Sequence, residues 1–254
     1  MSDVAQHVKQ SSQSYSIDHA TRVDLALAYR ILAYLHLDDL TYTHITSRLP
    51  DEQAFFIFPF GMLYEEVTAS SLLKVDFQGN ILEGSQSDYN PTAAVIHAAV
   101  YQARSDVMAV IHTHSKESIA VSADPRGLMP LSQFALHAYP HVAYHDYDSL
   151  VLDPIMQGDA LARDLGDDQV MLMRNHGALT VGKTIQEALF FTYHLQRACE
   201  VQVLCGSDQN YIMPDEKTCI KANKDLLGFE ANLGFRDWQA WKCLMDQKYS
   251  GYEL

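Results

Sequence analysis

Apolar residues recur along the chain in two patterns, one typical of amphipathic helices and one typical of buried strands. A spacing of four places Val23, Leu27, Ile31 and Leu35 on one face, which predicts a helix over residues 17–37 packed on a core. Capping and helix-breaking residues predict further helices over residues 90–104, 154–165 and 184–206. A C-terminal helix is predicted where Trp238, Trp241 and Leu244 share one face. Residues 1–15, rich in Ser and Gln, are predicted to be flexible.

Short apolar runs between these helices predict strands. The earlier runs, separated by short connections, are residues 42–49, 55–58 and 74–82. The later runs, including 107–113, 142–144 and 170–174, alternate with predicted helices. This order predicts an α/β fold with a mixed sheet covered by helices. A chain of 254 residues fits one domain, which we assign to residues 16–254 with a C-terminal helical extension.

Two of the buried strands end in histidine. The run of residues 107–113 leads into His112-Thr113-His114, and alternation along a strand points His112 and His114 the same way, with Cα atoms about 6.5 Å apart. His176 follows the second apolar run, 170–174, in comparable surroundings. Three imidazoles that leave coordination positions open indicate a divalent-metal site. The alternative is that these are hydrogen-bonded polar residues at strand ends.

The net charge and the cysteines limit which binding partners and which cellular compartment are expected. The net charge of −14 disfavours nucleic acid, because phosphate binding requires clustered Lys and Arg. The four cysteines are far apart and form no CxxC pair, so they are predicted to be free thiols. The first residues are polar and no stretch of 18 residues is apolar. We therefore expect a soluble cytoplasmic protein with no membrane partner.

Several segments together resemble the class II aldolase/adducin family over roughly residues 20–210. The matching segments are Asn90-Pro91, His97, Ala99, Tyr101, Ala103-Arg104, Asp106-Val107, His112 to Ser115, Arg174 to Gly182, Pro59 to Gly61, Glu66 to Ser70 and Ala143 to Tyr147. The resemblance implies a three-layer α/β/α fold with a mixed, largely antiparallel sheet, assembled as a homotetramer with sites between subunits. It also implies that His112, His114 and His176 bind Zn²⁺ or another divalent cation such as Mn²⁺, Fe²⁺, Co²⁺ or Ni²⁺.

Two segments depart from the pattern of the family's aldolases. The aldolases carry Pro-Ser-Ser-Glu where this chain has Pro91-Thr92-Ala93-Ala94, so Ala94 replaces the acid/base carboxylate. A Gly-Asn-x-Ser element of the phosphate pocket is replaced by Thr43-His44-Ile45-Thr46. A positioned general base contributes about 10²–10⁴ in rate. Both departures therefore argue against a usual sugar-phosphate aldolase and favour the adducin-like branch.

Other residues are candidates for the missing roles. The candidates for proton transfer are His145, Glu117 and Tyr252, the last of which matches a tail tyrosine that reaches a neighbouring subunit in the aldolases. The candidates for substrate binding are His44, Thr46, Thr92, Ser115 and Asn175. The competing interpretations are an ordinary loop for His145 and a solvated first-turn carboxylate for Glu117. His97 lies on the inward face of its helix and is predicted to be a hydrogen-bonded core histidine.

These features favour a divalent-metal-dependent lyase or isomerase acting on a small hydroxy-carbonyl compound, sugar-like or a keto acid. The cation would stabilise the enediolate that forms when a bond to carbon breaks. The alternative is a non-catalytic, adducin-like oligomeric scaffold or metal-binding protein. The sequence does not identify the substrate, the metal or the direction of the reaction.

Overall fold

A computed structural model describes residues 2–50, 52–84, 87–206 and 210–254, with the backbone only for residues 2–16. Helices in these ranges are α1 (Ser2–Tyr34), α2 (Pro91–Ala103), α3 (Lys116–Ala123), α4 (Asp159–Leu165), α5 (Ile185–Cys205), α6 (Glu216–Leu227) and α7 (Phe235–Lys248). Strands are β1 (His44–Arg48), β2 (Ala54–Ile57), β3 (Leu73–Asp76), β4 (Ile81–Glu83), β5 (Ala109–Thr113), β6 (Ala143–His145), β7 (Val170–Met173) and β8 (Gly177–Gly182).

The strands form one sheet in the order β4-β3-β2-β1-β5-β8-β7-β6. Neighbouring strands are antiparallel, apart from the parallel pair β6 and β7. The predicted mixed, largely antiparallel sheet is therefore confirmed. This topology brings the ends of β5, β6 and β7 and the beginnings of β1 and β8 to the same edge.

Helices cover both faces of the sheet. On one face, α2 contacts β1 and α4, and α4 contacts β6. On the other, α1 contacts β1, while α3 and α5 pack on each other and on β8. Neighbouring side chains of β1 point to opposite faces of the sheet. The side chain of Thr46 bonds His97 of α2, whereas the side chain of Ile45 belongs to the apolar core that includes α1. The three-layer α/β/α fold that the resemblance implied is thus confirmed.

The ends of α2 and α5 carry the predicted caps. The Asn90 side chain accepts from the Thr92 N–H at 3.2 Å, and Thr184 accepts from the Glu187 N–H at 3.1 Å. The Glu187 carboxylate accepts from the Lys183 N–H instead of the Thr184 N–H, so the capping box is shifted by one residue. These caps fix where α2 and α5 begin.

The first helix differs from its predicted bounds. Its backbone is helical from Ser2, whereas the sequence predicted a helix from residue 17 after a flexible segment. Residues 2–34 contain neither proline nor glycine, so nothing in the sequence terminates the helix. The predicted flexibility of residues 1–15 stays a prediction.

The helices of the described residues are not of the membrane-crossing kind. None of them is both long enough and apolar enough to cross a bilayer.

Candidate metal centre

Three histidine side chains meet at the shared edge of the sheet. His112 is on β5, His114 follows β5, and His176 lies in the turn between β7 and β8. Nε2 of His114 is 2.9 Å from Nε2 of His112 and 3.1 Å from Nε2 of His176. Nitrogen ligands at tetrahedral angles around Zn²⁺, with Zn–N distances near 2.0–2.1 Å, are separated by about 3.3 Å. The three rings therefore have the spacing of a metal-binding group.

Hydrogen bonds on the far side of two rings fix which nitrogen carries the proton. Nδ1 of His112 is 3.0 Å from the Ala178 carbonyl oxygen, and Nδ1 of His114 is 3.0 Å from Oδ2 of Asp39. Both partners accept hydrogen bonds, so both Nδ1 atoms donate and both Nε2 atoms carry lone pairs. Two lone pairs that face each other at 2.9 Å repel unless a cation lies between them. This donor set fits a divalent transition metal.

Burial keeps two of the rings neutral. It lowers the pKa of His112 well below its usual value, with the neighbouring His114 and His44 as further causes. Burial, followed by the proximity of His114 and His145, lowers the pKa of His176 to about 4. Neutral imidazole is the form that binds a metal. His112 and His176 are therefore in their ligating form at neutral pH.

The turn that carries His176 depends on the backbone of its neighbours. Asn175 adopts φ = 59°, a left-handed conformation that asparagine tolerates, and its N–H donates to Ser122 Oγ at 3.1 Å. At Gly177, an added Cβ would lie 2.2 Å from the Thr113 carbonyl oxygen. Only glycine therefore lets β8 begin this close to β5, which brings His176 beside His114.

A second group of polar side chains lies behind His112 on the α2 face of the sheet. The ring of His44, opposite His112 in the sheet register, has its centroid 5.0 Å from that of His112. Its two nitrogens contact Nε2 of His97 at 2.9 Å and Oγ1 of Thr92 at 3.3 Å. His97 is fully buried and hydrogen-bonded, as predicted for a core histidine. His44 and Thr92 thus border the metal centre.

Three predicted substrate-binding residues have other roles within the chain. Thr46 is fully buried and bonds His97 and Tyr101, so it is not exposed to a ligand. Ser115 caps α3 by accepting from the Ser118 N–H at 3.1 Å. Asn175 shapes the turn before His176 and its side chain is exposed. Alternation along β1 predicts the face of Thr46, but not its depth behind His97.

Two predicted proton-transfer residues lie outside the cluster. Glu117 is on α3, which packs against α5, and the Gln196 side chain of α5 donates to its carboxylate at 3.0 Å. The face of α3 that carries Glu117 is therefore turned toward α5 and not toward His114. Tyr252 is fully buried, and its hydroxyl donates to Asp246 and accepts from Lys242 Nζ at 2.8 Å. Glu117 and Tyr252 thus have hydrogen-bond partners within the chain, and their roles in proton transfer stay predictions.

His145 ends β6 at the same edge of the sheet as the three histidines. Its Nδ1 lies 2.7 Å from Oδ2 of Asp164 on α4. The carboxylate orients the ring and leaves Nε2 without the proton in the neutral form. His145 also lowers the pKa of His176, which places the two rings near each other.

Sequence reasoning missed two acidic residues that orient histidines. Asp39 and Asp164 each accept a hydrogen bond from Nδ1 of a site histidine. Asp39 lies just beyond the helix that the sequence predicts over residues 17–37, and the predicted pattern gives it no role. One feature of the sequence could have indicated Asp39: it is a carboxylate shortly before the strand that pairs with the strand of His112.

Comparison with known proteins shows which family the chain resembles. The family profile "Class II Aldolase and Adducin N-terminal domain" matches residues 23–203. A "Putative aldolase class 2 protein" from Caulobacter vibrioides is 38% identical over 235 residues, covering 91% of each chain. Alpha-adducin from Rattus norvegicus is 39% identical over 202 residues, which cover 76% of this chain but 27% of that protein.

A solved structure supports the same assignment. The L-fuculose 1-phosphate aldolase from Glaciozyma antarctica PI12 superposes with a TM-score of 0.81 at 27% identity, and the match covers 92% of each chain. The profile match and the identity to full-length relatives extend over nearly the whole sheet. The chain therefore belongs to the class II aldolase and adducin family.

Proposed function

We propose that this protein is a divalent-metal-dependent lyase or isomerase that acts on a small hydroxy-carbonyl compound. The observation that supports it is the convergence of three histidine side chains, with Nε2 of His114 2.9 Å from that of His112 and 3.1 Å from that of His176. The lone pairs of His112 and His114 are directed at each other. Zinc is the first candidate, because nitrogen ligands in this arrangement suit it.

Neutral ligands suit this chemistry. Three imidazoles leave a divalent cation its full positive charge, which polarises a carbonyl oxygen and stabilises negative charge that develops when a bond to carbon breaks. The chain's own contribution is to hold the rings of His112 and His114 in place through Ala178 and Asp39. His145 is the candidate for moving a proton, because Asp164 orients its ring at the same edge of the sheet.

The substrate is proposed to lack a phosphate group. In the segment 43–46, Thr43 Oγ1 bonds the Tyr64 hydroxyl at 2.8 Å and Thr46 bonds His97 at 2.7 Å. At the start of α2, the Thr92 hydroxyl bonds Asn90 at 2.8 Å. These are the positions where the family's aldolases hold phosphate, and here their hydroxyls are already bonded within the chain. A neutral sugar-like compound or a keto acid fits better.

Elemental analysis of protein purified without chelator tests the proposal. We expect close to one Zn, Mn, Fe, Co or Ni per chain, and near-complete loss in His112→Ala and His176→Ala. His141→Ala, at an exposed histidine, is the matched control and should keep the metal. A native protein that contains no metal would overturn the proposal. A screen of unphosphorylated hydroxy-carbonyl compounds and keto acids then identifies the substrate class.

A second candidate is a non-catalytic, adducin-like oligomeric protein. It is favoured by the 39% identity to alpha-adducin and by Ala94 at the position of the aldolase carboxylate. Stoichiometric metal with no turnover in the substrate screen would support this candidate. In either case we propose a homotetramer, which sedimentation tests, and a cytoplasmic location, which is consistent with four free cysteines.

A further inference from the structure

A continuous chain of hydrogen bonds runs through the core from α2 to the edge of the metal centre. The Tyr101 hydroxyl is 2.7 Å from Thr46 Oγ1, which is 2.7 Å from Nδ1 of His97. Nε2 of His97 is 2.9 Å from Nδ1 of His44, and Nε2 of His44 is 3.3 Å from Thr92 Oγ1. The first four residues are buried, whereas Thr92 is half-buried. We call these five residues the buried chain.

Asn90 sets the direction of the last hydrogen bond. Its amide nitrogen donates to the Tyr42 carbonyl at 3.1 Å, so Oδ1 faces α2 and only accepts. This oxygen accepts from the Thr92 hydroxyl at 2.8 Å and from the Thr92 N–H at 3.2 Å. The single hydroxyl proton of Thr92 is thus committed to Asn90. Thr92 Oγ1 therefore accepts from His44, and Nε2 of His44 is the donor.

The remaining directions follow one after another. A neutral His44 that is protonated at Nε2 has a bare Nδ1, which accepts from Nε2–H of His97. Nδ1 of His97 is then bare and accepts from the Thr46 hydroxyl, whose oxygen accepts from Tyr101. Both rings are buried, and their hydrogen-bond partners are an imidazole and hydroxyl groups, not carboxylates, so the neutral form is favoured in both. Every proton in the buried chain points toward Thr92.

We propose that Tyr101, Thr46 and His97 are positioning residues that fix His44 as an Nε2–H donor, and that this donor binds an oxygen of the substrate beside His112. This inference rests on the proposed function. The bond from His44 to Thr92, at 3.3 Å, is at the long end for hydrogen bonds, so the N–H is only weakly held. A ligand oxygen near Thr92 can take it over, whereas a ligand N–H cannot. The site therefore selects ligands that present a hydrogen-bond acceptor, such as a carbonyl or carboxylate oxygen.

The tautomer of His44 is measured directly by long-range ¹H–¹⁵N spectra of histidine-labelled, zinc-loaded protein. The signals of His44 are assigned by their loss in His44→Gln. We expect Nε2 protonated and Nδ1 bare in the wild-type chain. A protonated Nδ1 would overturn the proposal without any reference to activity.

Two variants of His97 separate positioning from packing. His97→Gln keeps a donor near the position of Nε2, and His97→Leu keeps the volume but removes the donor. We expect the Nε2–H tautomer of His44 to persist in His97→Gln and to mix with the Nδ1–H tautomer in His97→Leu. Persistence of the single tautomer in a folded His97→Leu would show that the buried chain does not set it. If His97→Leu does not fold, the wild-type spectrum and His97→Gln still decide.

Glycolate, a small hydroxy acid, tests the substrate contact. Titrated into the zinc-loaded protein, it should shift the Nε2–H signal of His44 and leave that of the exposed His141 unchanged. Its affinity should fall roughly 3- to 10-fold in His97→Leu relative to His97→Gln, as expected for one neutral hydrogen bond. Glycolate binding without any shift at His44 would overturn the substrate contact. Failure to bind any of the five divalent metals would overturn the proposed function and the substrate contact. The tautomer of His44 would then be measured on the metal-free protein and would still test the buried chain.

Discussion

Oδ2 of Asp39 accepts a hydrogen bond from Nδ1 of His114 at 3.0 Å, across 75 positions of the sequence. Asp39 lies between α1 and β1, and His114 lies just beyond β5. The carboxylate fixes the tautomer in which Nε2 of His114 faces His112 and His176. A residue that touches no ligand thereby helps to prepare the metal centre.

Replacing Asp39 by Asn should weaken metal binding about 10- to 100-fold. The amide can no longer attract the ring N–H with a charge, and it allows His114 to turn its other nitrogen inward. Competition with a chromogenic chelator measures the affinity. Asp164→Asn is the matched control, because it alters an equivalent carboxylate at His145 outside the three-histidine cluster. Equal losses in both variants would contradict the role of Asp39.

Gly177→Ala should destabilise the fold by about 3 kcal/mol, near the upper end for single substitutions. The added Cβ would lie 2.2 Å from the Thr113 carbonyl oxygen, so β8 must move away from β5. Urea denaturation followed by circular dichroism measures the change. The same displacement should lower the metal content, because His176 precedes Gly177. An unchanged midpoint together with full metal content would refute the close approach.

Ala94→Glu should not create an efficient aldolase for fuculose phosphate. The substitution restores the carboxylate, but the hydroxyls of Thr43, Thr46 and Thr92 stay bonded to Tyr64, His97 and Asn90, so phosphate gains no partner. We expect wild-type and variant rates to agree within about tenfold, below the usual 10²–10⁴ contribution of a general base. A coupled assay of aldehyde release measures both. Robust turnover by the wild-type chain would show that Ala94 is compatible with this reaction.

The four thiols should divide into two classes. Cys205 and Cys243 are exposed, whereas Cys199 and Cys219 are buried. Burial raises the pKa of Cys199 to about 12, so little thiolate forms at pH 8. Ellman's reagent should titrate two thiols rapidly in the native protein and all four in denaturant. Cys205→Ser should leave one rapid thiol, and four rapid thiols in the native wild type would contradict the buried positions.

Stability should decrease as the pH falls from about 7 to 4. Burial, and then the adjacent His194, lowers the pKa of His137 to about 4, below the value near 6.5 of an unfolded histidine. The unfolded chain therefore binds the proton first, so the contribution of His137 is complete above pH 6.5 and is lost toward pH 4. Denaturation midpoints measured from pH 7 to 4.5 on chelator-treated protein report this. In His137→Gln the denaturation midpoint should depend less on pH. An identical slope in the variant and the wild type would contradict the contribution of His137.

The metal centre was more predictable from the sequence than its surroundings. His112 and His114 follow from alternation along a strand, and His176 follows from a second apolar run that ends in histidine. These are local patterns, and the sheet order then brings the two strand ends together. Asp39 could not be found this way, because its contact with His114 depends on how β1 pairs with β5.

The contacts of two proton-transfer candidates could not be predicted, for another reason. Glu117 is three residues from His114, but the orientation of α3 directs it to Gln196. Tyr252 was expected to reach another subunit, yet its backbone carbonyl accepts from the Ala69 N–H at 2.8 Å within the same chain. Distance along the sequence gives neither the rotation of a helix nor the path of a tail. Both are decided by packing.

The order of strands also determines when the centre can form during synthesis. The cluster joins segments as far apart as Asp39 and His176 and requires β8 to have paired with β5. A nascent chain that has emerged only to β6 contains two of the three histidines and not the third. The complete three-histidine centre therefore cannot form until His176 has emerged and β8 can pair with β5.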